Sequence, residues 1–337
     1  VLFFAQQFIL PPATTPIDPA EEESQAPQRT VANQKNESQP LPLFKNDIVE
    51  KDDIVGVERE IVLKNEDLEL RFSTRGSGQI NSIRLLKYLD EGEPLELLPQ
   101  NLPSSMPRPL QIKTKDSQIQ RVLDQAVYKA HVINPLKVRF VYQQLGIRAE
   151  KTVTLPRDGY VFEVTTQLVR GGESLPVLVS LGAGMGPIGE TLQTDFSYPG
   201  IATGINQEVE RYTEADIPSA LTMYSRDWLA IDSQYFARAF AADPLEIVHL
   251  DTHPVQLEVK EKSEQILFSA SASTQPREPL TVFFGPKEID TLRGANPKLV
   301  NLINFGWLSF LVKPLLYSLK WVYSFVGNYG ISIIILT

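Results

Sequence analysis

The sequence predicts a mainly β fold of antiparallel sheets between residues 47 and 286. Apolar and polar residues alternate in short runs such as Leu68–Ser73 and Lys137–Tyr142, which is typical of strands with one buried face. Turn sequences such as Arg75–Gly78 separate these runs, because Gly adopts the backbone conformations that tight turns need. No long helical periodicity precedes Asn296. Strands therefore do not alternate with helices, and the sheets are expected to be antiparallel.

The remaining runs continue this strand pattern along the domain. Leu175–Leu181 is apolar almost throughout, which indicates a strand buried on both faces. Further turns are predicted at Arg157–Gly159, Arg170–Gly172 and Tyr198–Gly200. The other alternating runs are Leu110–Lys115, Lys151–Leu155, Tyr160–Leu168, Val255–Lys260 and Ile266–Ser273.

The composition excludes several classes of protein. The 337 residues include no Cys, which excludes disulfide scaffolds, thiolate zinc sites, iron–sulfur clusters and Cys nucleophiles. The formal net charge of −9 argues against a general nucleic-acid-binding protein. The charge is uneven, because the segment from Phe284 to Thr337 has five basic and two acidic residues. A basic, aromatic tail on an acidic body indicates two physical environments.

Two segments precede the predicted domain. Residues 1–10 are apolar apart from Gln6 and Gln7, and they are too few to span a bilayer, which takes about 20 residues. Residues 11–46 contain seven Pro and a single aromatic residue, Phe44. Such a segment buries too little apolar surface to offset the entropy lost on ordering. It is therefore predicted to be a disordered, Pro-rich linker.

An amphipathic helix is predicted over residues 296–326, after the β domain. Asn296 and Pro297 form a helix-start signal, in which a capping residue is followed by Pro at the first helical position. The polar residues of this helix fall on one narrow face, and nearly all others are apolar or aromatic. This pattern indicates a helix lying in a membrane interface, and the alternative is a core helix of a soluble domain. The narrow face comprises Ser309, Lys313, Lys320 and Ser324.

Six residues of this helix are predicted to meet the membrane interface, because Trp and Tyr favour the headgroup level and Lys side chains extend toward it. Pro314 is also expected to kink the helix, since Pro removes a hydrogen bond and crowds the preceding turn. The six residues are Trp307, Lys313, Pro314, Lys320, Trp321 and Tyr323.

A turn is predicted after the helix, at Gly327, Asn328, Tyr329 and Gly330. The apolar run that follows is expected to enter the bilayer, so that residues 327–337 are the start of a transmembrane helix. Since residues 1–10 are apolar as well, the chain is expected to be bounded by two truncated membrane helices.

No catalytic, cofactor or metal site in the sequence outweighs a structural explanation. Gly184–Gly189 matches G-x-G-x-x-G, but a dinucleotide site also needs a helix at the third Gly within a β–α–β unit. Pro187 interrupts this loop. His249 and His253 could ligate a metal with Asp251 at a strand end, although His on a strand surface is the favoured interpretation. We therefore predict no catalytic residue, no cofactor and no metal.

Several stretches of the chain match sequence motifs of one known family. The most specific are Phe305–Trp307, Lys313–Leu316 and Gly327–Ile331, which are similar to its interfacial helix and to the start of its second transmembrane helix. Together with the others, they resemble the YidC-type membrane-protein insertases of bacteria. Tyr329 stands where Trp is more usual in that family. The other matching stretches are Val1–Pro12, Leu70–Tyr88, Glu93–Pro99, Trp228–Ile231, Tyr235–Phe236 and Phe284–Lys287.

The resemblance implies both a fold and a function. The fold is a β-supersandwich, similar to galactose mutarotase and sugar-binding domains, for residues near 47–286. The function is to insert and fold inner-membrane proteins, alone or beside the Sec translocon. In that family a polar groove centred on an intramembrane arginine performs insertion, and this arginine is expected a few residues beyond Thr337. The chain is then expected to be the periplasmic portion of an insertase, without that groove, and not an enzyme.

The partners implied by the resemblance are the lipid bilayer, nascent membrane proteins and the Sec translocon subunits SecYEG and SecDF, with no nucleic acid. The implied location is the bacterial inner membrane, in a multi-pass parent protein, with residues 11–326 on the periplasmic side. Two other functions stay open at this point. One is a carbohydrate-binding or mutarotase-like β-sandwich protein. The other, compatible with insertion, is a holdase that binds unfolded segments in a groove between sheets.

Overall fold

The structure, a computed structural model, describes residues 56–336 except 100–101, 187–199, 214–215, 218, 242–243, 257–263 and 304–308. The predicted membrane segment at residues 1–10 and the predicted linker at residues 11–46 lie outside the described residues. So does the predicted interface residue Trp307.

The described residues form nineteen strands, four α-helices and a 3-10 helix at Pro297–Leu302. The helices are α1 (Ser117–Gln125), α2 (Ile289–Ala295), α3 (Ser309–Val326) and α4 (Tyr329–Leu336). The strands are β1 (Glu60–Lys64), β2 (Leu68–Ser73), β3 (Ile80–Asp90), β4 (Glu93–Glu96), β5 (Pro109–Lys113), β6 (Lys129–Asn134), β7 (Lys137–Gln144), β8 (Ile147–Thr154), β9 (Val161–Arg170), β10 (Glu173–Leu175), β11 (Val177–Ala183), β12 (Gly200–Ile205), β13 (Glu208–Tyr212), β14 (Ala220–Arg226), β15 (Trp228–Asp232), β16 (Phe236–Phe240), β17 (Leu245–Gln256), β18 (Glu264–Thr274) and β19 (Leu280–Pro286).

The strands form three sheets, and every described pairing is antiparallel. The first sheet has the order β1-β2-β3-β4. The largest has ten strands in the order β13-β12-β15-β16-β19-β9-β8-β7-β6, with β10 paired to β9. The third has the order β14-β17-β18-β11-β5. The predicted fold class, a mainly β domain of antiparallel sheets, is confirmed.

A continuous apolar core joins the inward faces of the three sheets. β8 shows the local reason, because every second residue along it is buried and the alternate residues are partly exposed. Aromatic rings fill the space between strands. Phe72 and Phe140 have ring centroids 5.5 Å apart, and Phe162 meets Phe284 edge-on at 5.0 Å. β11, expected to be buried on both faces, is buried at six of its seven positions.

The predicted strand Val255–Lys260 is described only at its first two residues, which belong to β17, and its other residues lie outside the described part of the chain. The helix α1 was not predicted. It has only nine residues, and its start is set by Asp116, whose side chain accepts hydrogen bonds from the backbone N–H groups of Gln118 and Ile119.

The predicted helix at 296–326 is not one element. Asn296 caps a start as expected, accepting a hydrogen bond from the backbone N–H of Lys298 at 2.9 Å, but the 3-10 helix ends at Leu302 and α3 begins at Ser309. Leu299 and Leu302 are fully buried in the β-domain core. Residues three apart lie on one side of a 3-10 helix, so both leucines reach the core. The prediction that residues 296–326 form one helix in the membrane interface is therefore wrong for residues 297–302, which pack on the core.

One core position of β8 is occupied by a lysine. Lys151 is fully buried, and its Nζ donates hydrogen bonds to the carbonyl oxygens of Gly78 at 2.7 Å and Leu110 at 2.6 Å. The ring of Phe140 lies 5.6 Å from the same nitrogen. Both acceptor residues have positive φ, +64° and +62°, which is unfavourable for Leu. The Lys151 side chain thus joins two backbone segments that have positive φ angles at Gly78 and Leu110.

We predict that Lys151→Met lowers the free energy of unfolding by about 2–4 kcal/mol, because two buried carbonyl groups lose their donor. Burial lowers the pKa of Lys151 well below its ordinary value of 10.5. The unfolded chain then binds more protons than the folded chain between these two pKa values, so stability rises with pH in that window. Urea unfolding should show the wild type gaining stability over Lys151→Met as the pH approaches 10.5.

The matched control is Lys129→Met, which changes an exposed lysine on β6. It should shift stability by less than about 0.5 kcal/mol. Equal effects of the two substitutions would show that buried Lys151 does not hold these two backbone segments.

Candidate membrane-facing surface

A dense group of exposed apolar side chains occurs on α3 and α4. Scattered exposed apolar residues are ordinary, but a contiguous group marks an interaction surface. We call this group the apolar helix surface. It comprises Leu315, Tyr317, Trp321, Phe325, Ile331, Ile333, Ile334 and Ile335, each between 48% and 76% exposed.

The aromatic part of the surface follows the helix geometry of α3. Tyr317, Trp321 and Phe325 are spaced four residues apart, so they lie on one face of the helix. The rings of Trp321 and Phe325 meet edge-on with centroids 5.0 Å apart. Trp and Tyr combine an apolar ring with a polar group, which suits them to the boundary between lipid and water.

Polar contacts attach α3 to the short helix α2. Lys320 Nζ lies 2.5 Å from Asp290 Oδ2, and Arg293 Nη1 lies 3.2 Å from Asp290 Oδ1. Arg293 also donates to the hydroxyl of Tyr317 at 3.4 Å. The hydrogen bond from Lys320 lowers the pKa of Asp290. All these groups are exposed, so each contact adds little to stability.

The turn between α3 and α4 is at Gly327 and Asn328, whereas Tyr329 and Gly330, which were predicted to belong to it, begin α4. Gly327 has φ +66°, and its N–H donates to the carbonyl of Tyr323 at 2.8 Å, which is a common way to end a helix. The Asn328 side chain then accepts hydrogen bonds from the backbone N–H groups of Gly330 at 2.9 Å and Ile331 at 3.3 Å. Asn328 is thus the N-cap of α4.

The structure places the other predicted interface residues as follows. Pro314 lies inside α3 and is exposed. Trp321 is exposed, Tyr323 is partly buried, and Lys320 contacts Asp290. The side chains of Lys313 and Tyr329 lie outside the described part of the chain. Within the described residues, no helix is long and apolar enough to cross a membrane.

A buried group of charges connects the β domain to the segment that leads into α3. Asp232, at the end of β15, is 1% exposed and lies 3.1 Å from Arg211 Nη1 and 2.8 Å from Lys287 Nζ. Arg211 Nη2 also donates to the carbonyl of Leu302 at 2.8 Å. Lys287 Nζ donates to the carbonyl of Ser233 at 3.0 Å. We call Arg211, Asp232 and Lys287 the Asp232 cluster.

Sequence reasoning missed Arg211 and Asp232, although both carry the attachment of the helical segment. Lys287 was noted only as the end of a family-like stretch. The available signal was Asp232 directly after the apolar run Trp228–Ile231, because an acidic residue at the end of a buried strand needs a partner.

The remaining candidate sites resolve into local contacts. His249 pairs with Thr222 at 2.8 Å and with Asp251 at 3.3 Å, and His253 pairs with Ser269 at 2.8 Å. In the described part of the chain, no group of three or more His, Asp or Glu is arranged to hold a metal. β11, which precedes the Gly184–Gly189 motif, pairs antiparallel with both neighbours. It is therefore not part of the parallel β–α–β unit that a dinucleotide site requires.

Comparison with known families identifies the domain. A family model described as the YidC periplasmic domain matches residues 60–318, which includes the three sheets, the Asp232 cluster and the first half of α3. The chain belongs to the YidC periplasmic domain family.

Curated relatives carry the name membrane protein insertase YidC. The protein of Geotalea daltonii is 26% identical over 304 residues, which is 83% of this chain and 54% of the relative. That of Geobacter sulfurreducens is 30% identical over 200 residues, 57% of this chain and 37% of the relative. The chain thus spans about half, or less, of the length of these YidC proteins.

Solved structures similar to the chain include a galactose mutarotase related enzyme from Lactobacillus acidophilus. It is 8% identical, with a TM-score of 0.43, and the match covers 67% of this chain and 97% of that one. A putative aldose 1-epimerase from Escherichia coli is 11% identical, with a TM-score of 0.38, and the match covers 68% and 98%. These values support no conclusion about the chemistry of the YidC periplasmic domain.

We predict that Asp232→Ala lowers the free energy of unfolding by about 3–5 kcal/mol, because it leaves two partly buried cations without a counter-charge. The matched control, Asp290→Ala, removes a 68% exposed carboxylate that also contacts two cations. It should cost no more than about 1 kcal/mol. Urea unfolding of both variants tests this, and similar losses would contradict the assignment of the Asp232 cluster as the main attachment.

Proposed function

We propose that the chain is the periplasmic portion of a membrane-protein insertase, which helps to insert and fold proteins of the bacterial inner membrane. The family match to the YidC periplasmic domain supports the assignment. The observation that carries it is the apolar helix surface, which extends from a domain whose other apolar side chains are mostly buried. A surface of this kind fits a lipid bilayer, because lipid contact removes its Trp, Phe and Ile side chains from water.

In this proposal the β domain has a structural and partner-docking role, and it is not an enzyme. It acts on the periplasmic side of the inner membrane, within a multi-pass parent protein. Nascent membrane proteins are its clients. Subunits of the Sec translocon, SecYEG and SecDF, dock on it when insertion proceeds with the translocon. Among the described residues, the lining of the cavity of about 470 Å³ between Glu58 and Asp124 has no aromatic side chain, which disfavours the carbohydrate-binding alternative, since sugar rings commonly stack on aromatic rings.

We predict that the double variant Trp321→Asp/Phe325→Asp releases the chain from liposomes of phosphatidylethanolamine and phosphatidylglycerol. Each apolar side chain contributes about 1.5–3 kcal/mol when lipid replaces water, so the partition coefficient should fall at least about tenfold. Both side chains are exposed, at 65% and 73%, so the thermal unfolding midpoint should stay the same. Liposome flotation and circular dichroism of the 337-residue chain measure the two quantities.

The control variant is Leu145→Asp, which changes a 78% exposed apolar residue at the turn between β7 and β8. It should float as well as the wild type. The proposal fails if the wild type does not bind liposomes, or if the double variant unfolds the β domain and so places the helices in its core.

A further inference from the structure

A cavity of about 470 Å³ lies between the β1–β4 sheet and the chain entering β5, away from the apolar helix surface. Its volume is within the range of ligand-binding clefts. The described residues that line it are almost all polar, and none is aromatic. The polar lining includes Glu58, Gln79, Asn81, Arg108, Gln111 and Asp124.

Arg108 has no counter-charge among the described residues. Its guanidinium is partly buried, and burial lowers its pKa. Among the described residues its side chain has one partner, the carbonyl of Leu102, to which Nη2 donates at 2.9 Å. A guanidinium has five N–H donors arranged to receive a carboxylate through two parallel hydrogen bonds. Most of this donor capacity is unused by the described residues.

Side-chain amides beside Arg108 form a connected row. The Oε1 atom of Gln111 accepts a hydrogen bond from the backbone N–H of Arg108 at 3.0 Å, and its Nε2 donates to Gln79 Oε1 at 2.9 Å. Gln79 Nε2 in turn donates to Asn81 Oδ1 at 3.4 Å. The Nδ2 group of Asn81 has no partner among the described residues. These hydrogen bonds fix the orientation of the side-chain amides that a bound polypeptide would contact.

The buried Lys151 of β8 contacts the two backbone segments that carry the cavity glutamines. Lys151 bonds the carbonyls of Gly78 and Leu110, the residues directly before Gln79 and Gln111. Both have positive φ. Burying a lysine amine and straining the backbone are both costly. These two features fix the positions of the two cavity glutamines, which is the pre-organisation that a binding site needs.

The acidic residues of the lining do not neutralise Arg108. Glu58 is engaged with Ser73 at 2.6 Å and with Arg75 at 2.9 Å, and the hydrogen bond from Ser73 lowers its pKa. Asp124 accepts from Gln120 Nε2 at 2.8 Å and keeps acceptor capacity for N–H groups. The cavity thus combines the guanidinium of Arg108, side-chain amides and the carboxylate of Asp124. An acidic polypeptide offers matching groups, because its carboxylate can pair with Arg108, its backbone can hydrogen-bond to the amides, and its N–H groups can donate to Asp124.

We propose that this cavity binds extended, acidic polypeptide segments. Arg108 receives an Asp or Glu carboxylate of the segment, while Gln79, Asn81 and Gln111 hydrogen-bond to its backbone amides. The proposal does not depend on membrane binding by α3 and α4, because the cavity and the apolar helix surface share no residue.

The test measures binding of a fluorescein-labelled ten-residue peptide of Gly and Ser with two central Glu, by fluorescence anisotropy with the full chain. A second peptide has Gln in place of both Glu. The wild type should bind the Glu peptide at least tenfold more tightly than the Gln peptide. Arg108→Gln should remove this preference, and Arg108→Lys should restore part of it, because Lys supplies charge without the two-pronged geometry.

The matched control is Arg121→Gln, which changes an exposed arginine of α1 that donates to the carbonyl of Ser117 at 3.3 Å. This variant should bind both peptides as the wild type does. Asn81→Ala changes an exposed side chain and should weaken binding severalfold even if Arg108→Gln fails to fold. Equal binding of the two peptides by the wild type, or unchanged binding by Asn81→Ala, overturns the proposal. Competition by free glucuronate at the peptide's concentration also overturns it, in favour of a site for small sugar acids.

Discussion

The position of the helical segment depends on the buried contact of Asp232 with Arg211 and Lys287. The three residues come from β15, β13 and the end of β19, and Arg211 extends the group to the carbonyl of Leu302. Charges removed from water interact strongly, and each is costly without its partner. The 3-10 helix is therefore attached both by its buried leucines and by this ion group. The β domain and the 3-10 helix thus behave as one structure.

Local features were predictable from the sequence, and features that depend on distant residues were not. The strand Leu68–Ser73 has the predicted bounds, since alternation is decided by neighbouring residues. Asn296 is a cap as predicted, but the end of its helix at Leu302 depends on core contacts made elsewhere in the chain. The Asp232 cluster joins residues 211, 232, 287 and 302, which no local pattern relates.

Around the candidate cavity, too, local features could be predicted from the sequence and contacts with distant residues could not. Alternation in Lys151–Leu155 places Lys151 in phase with the apolar residues Val153 and Leu155, and all three are buried. The pattern could therefore have signalled a buried lysine. It could not have supplied the acceptors, because the carbonyls of Gly78 and Leu110 are brought to β8 only by the tertiary fold. A buried lysine that bonds to distant backbone is a feature of the assembled sheets.

The attachments along the C-terminal segment differ greatly in strength, and this difference bears on how the domain meets a membrane. Residues 297–302 are fixed by buried leucines and by the Asp232 cluster. Beyond them, α3 is tied to α2 by the exposed ion pair of Lys320 with Asp290 and by a hydrogen bond from Arg293 to Tyr317, each worth at most about 1 kcal/mol. Transfer of one exposed aromatic side chain such as Trp321 into lipid yields about 1.5–3 kcal/mol. The free energy of lipid contact is therefore larger than that of the polar contacts of Asp290. Lipid contact can set the orientation of α3 without disturbing residues 297–302, which are fixed to the β domain.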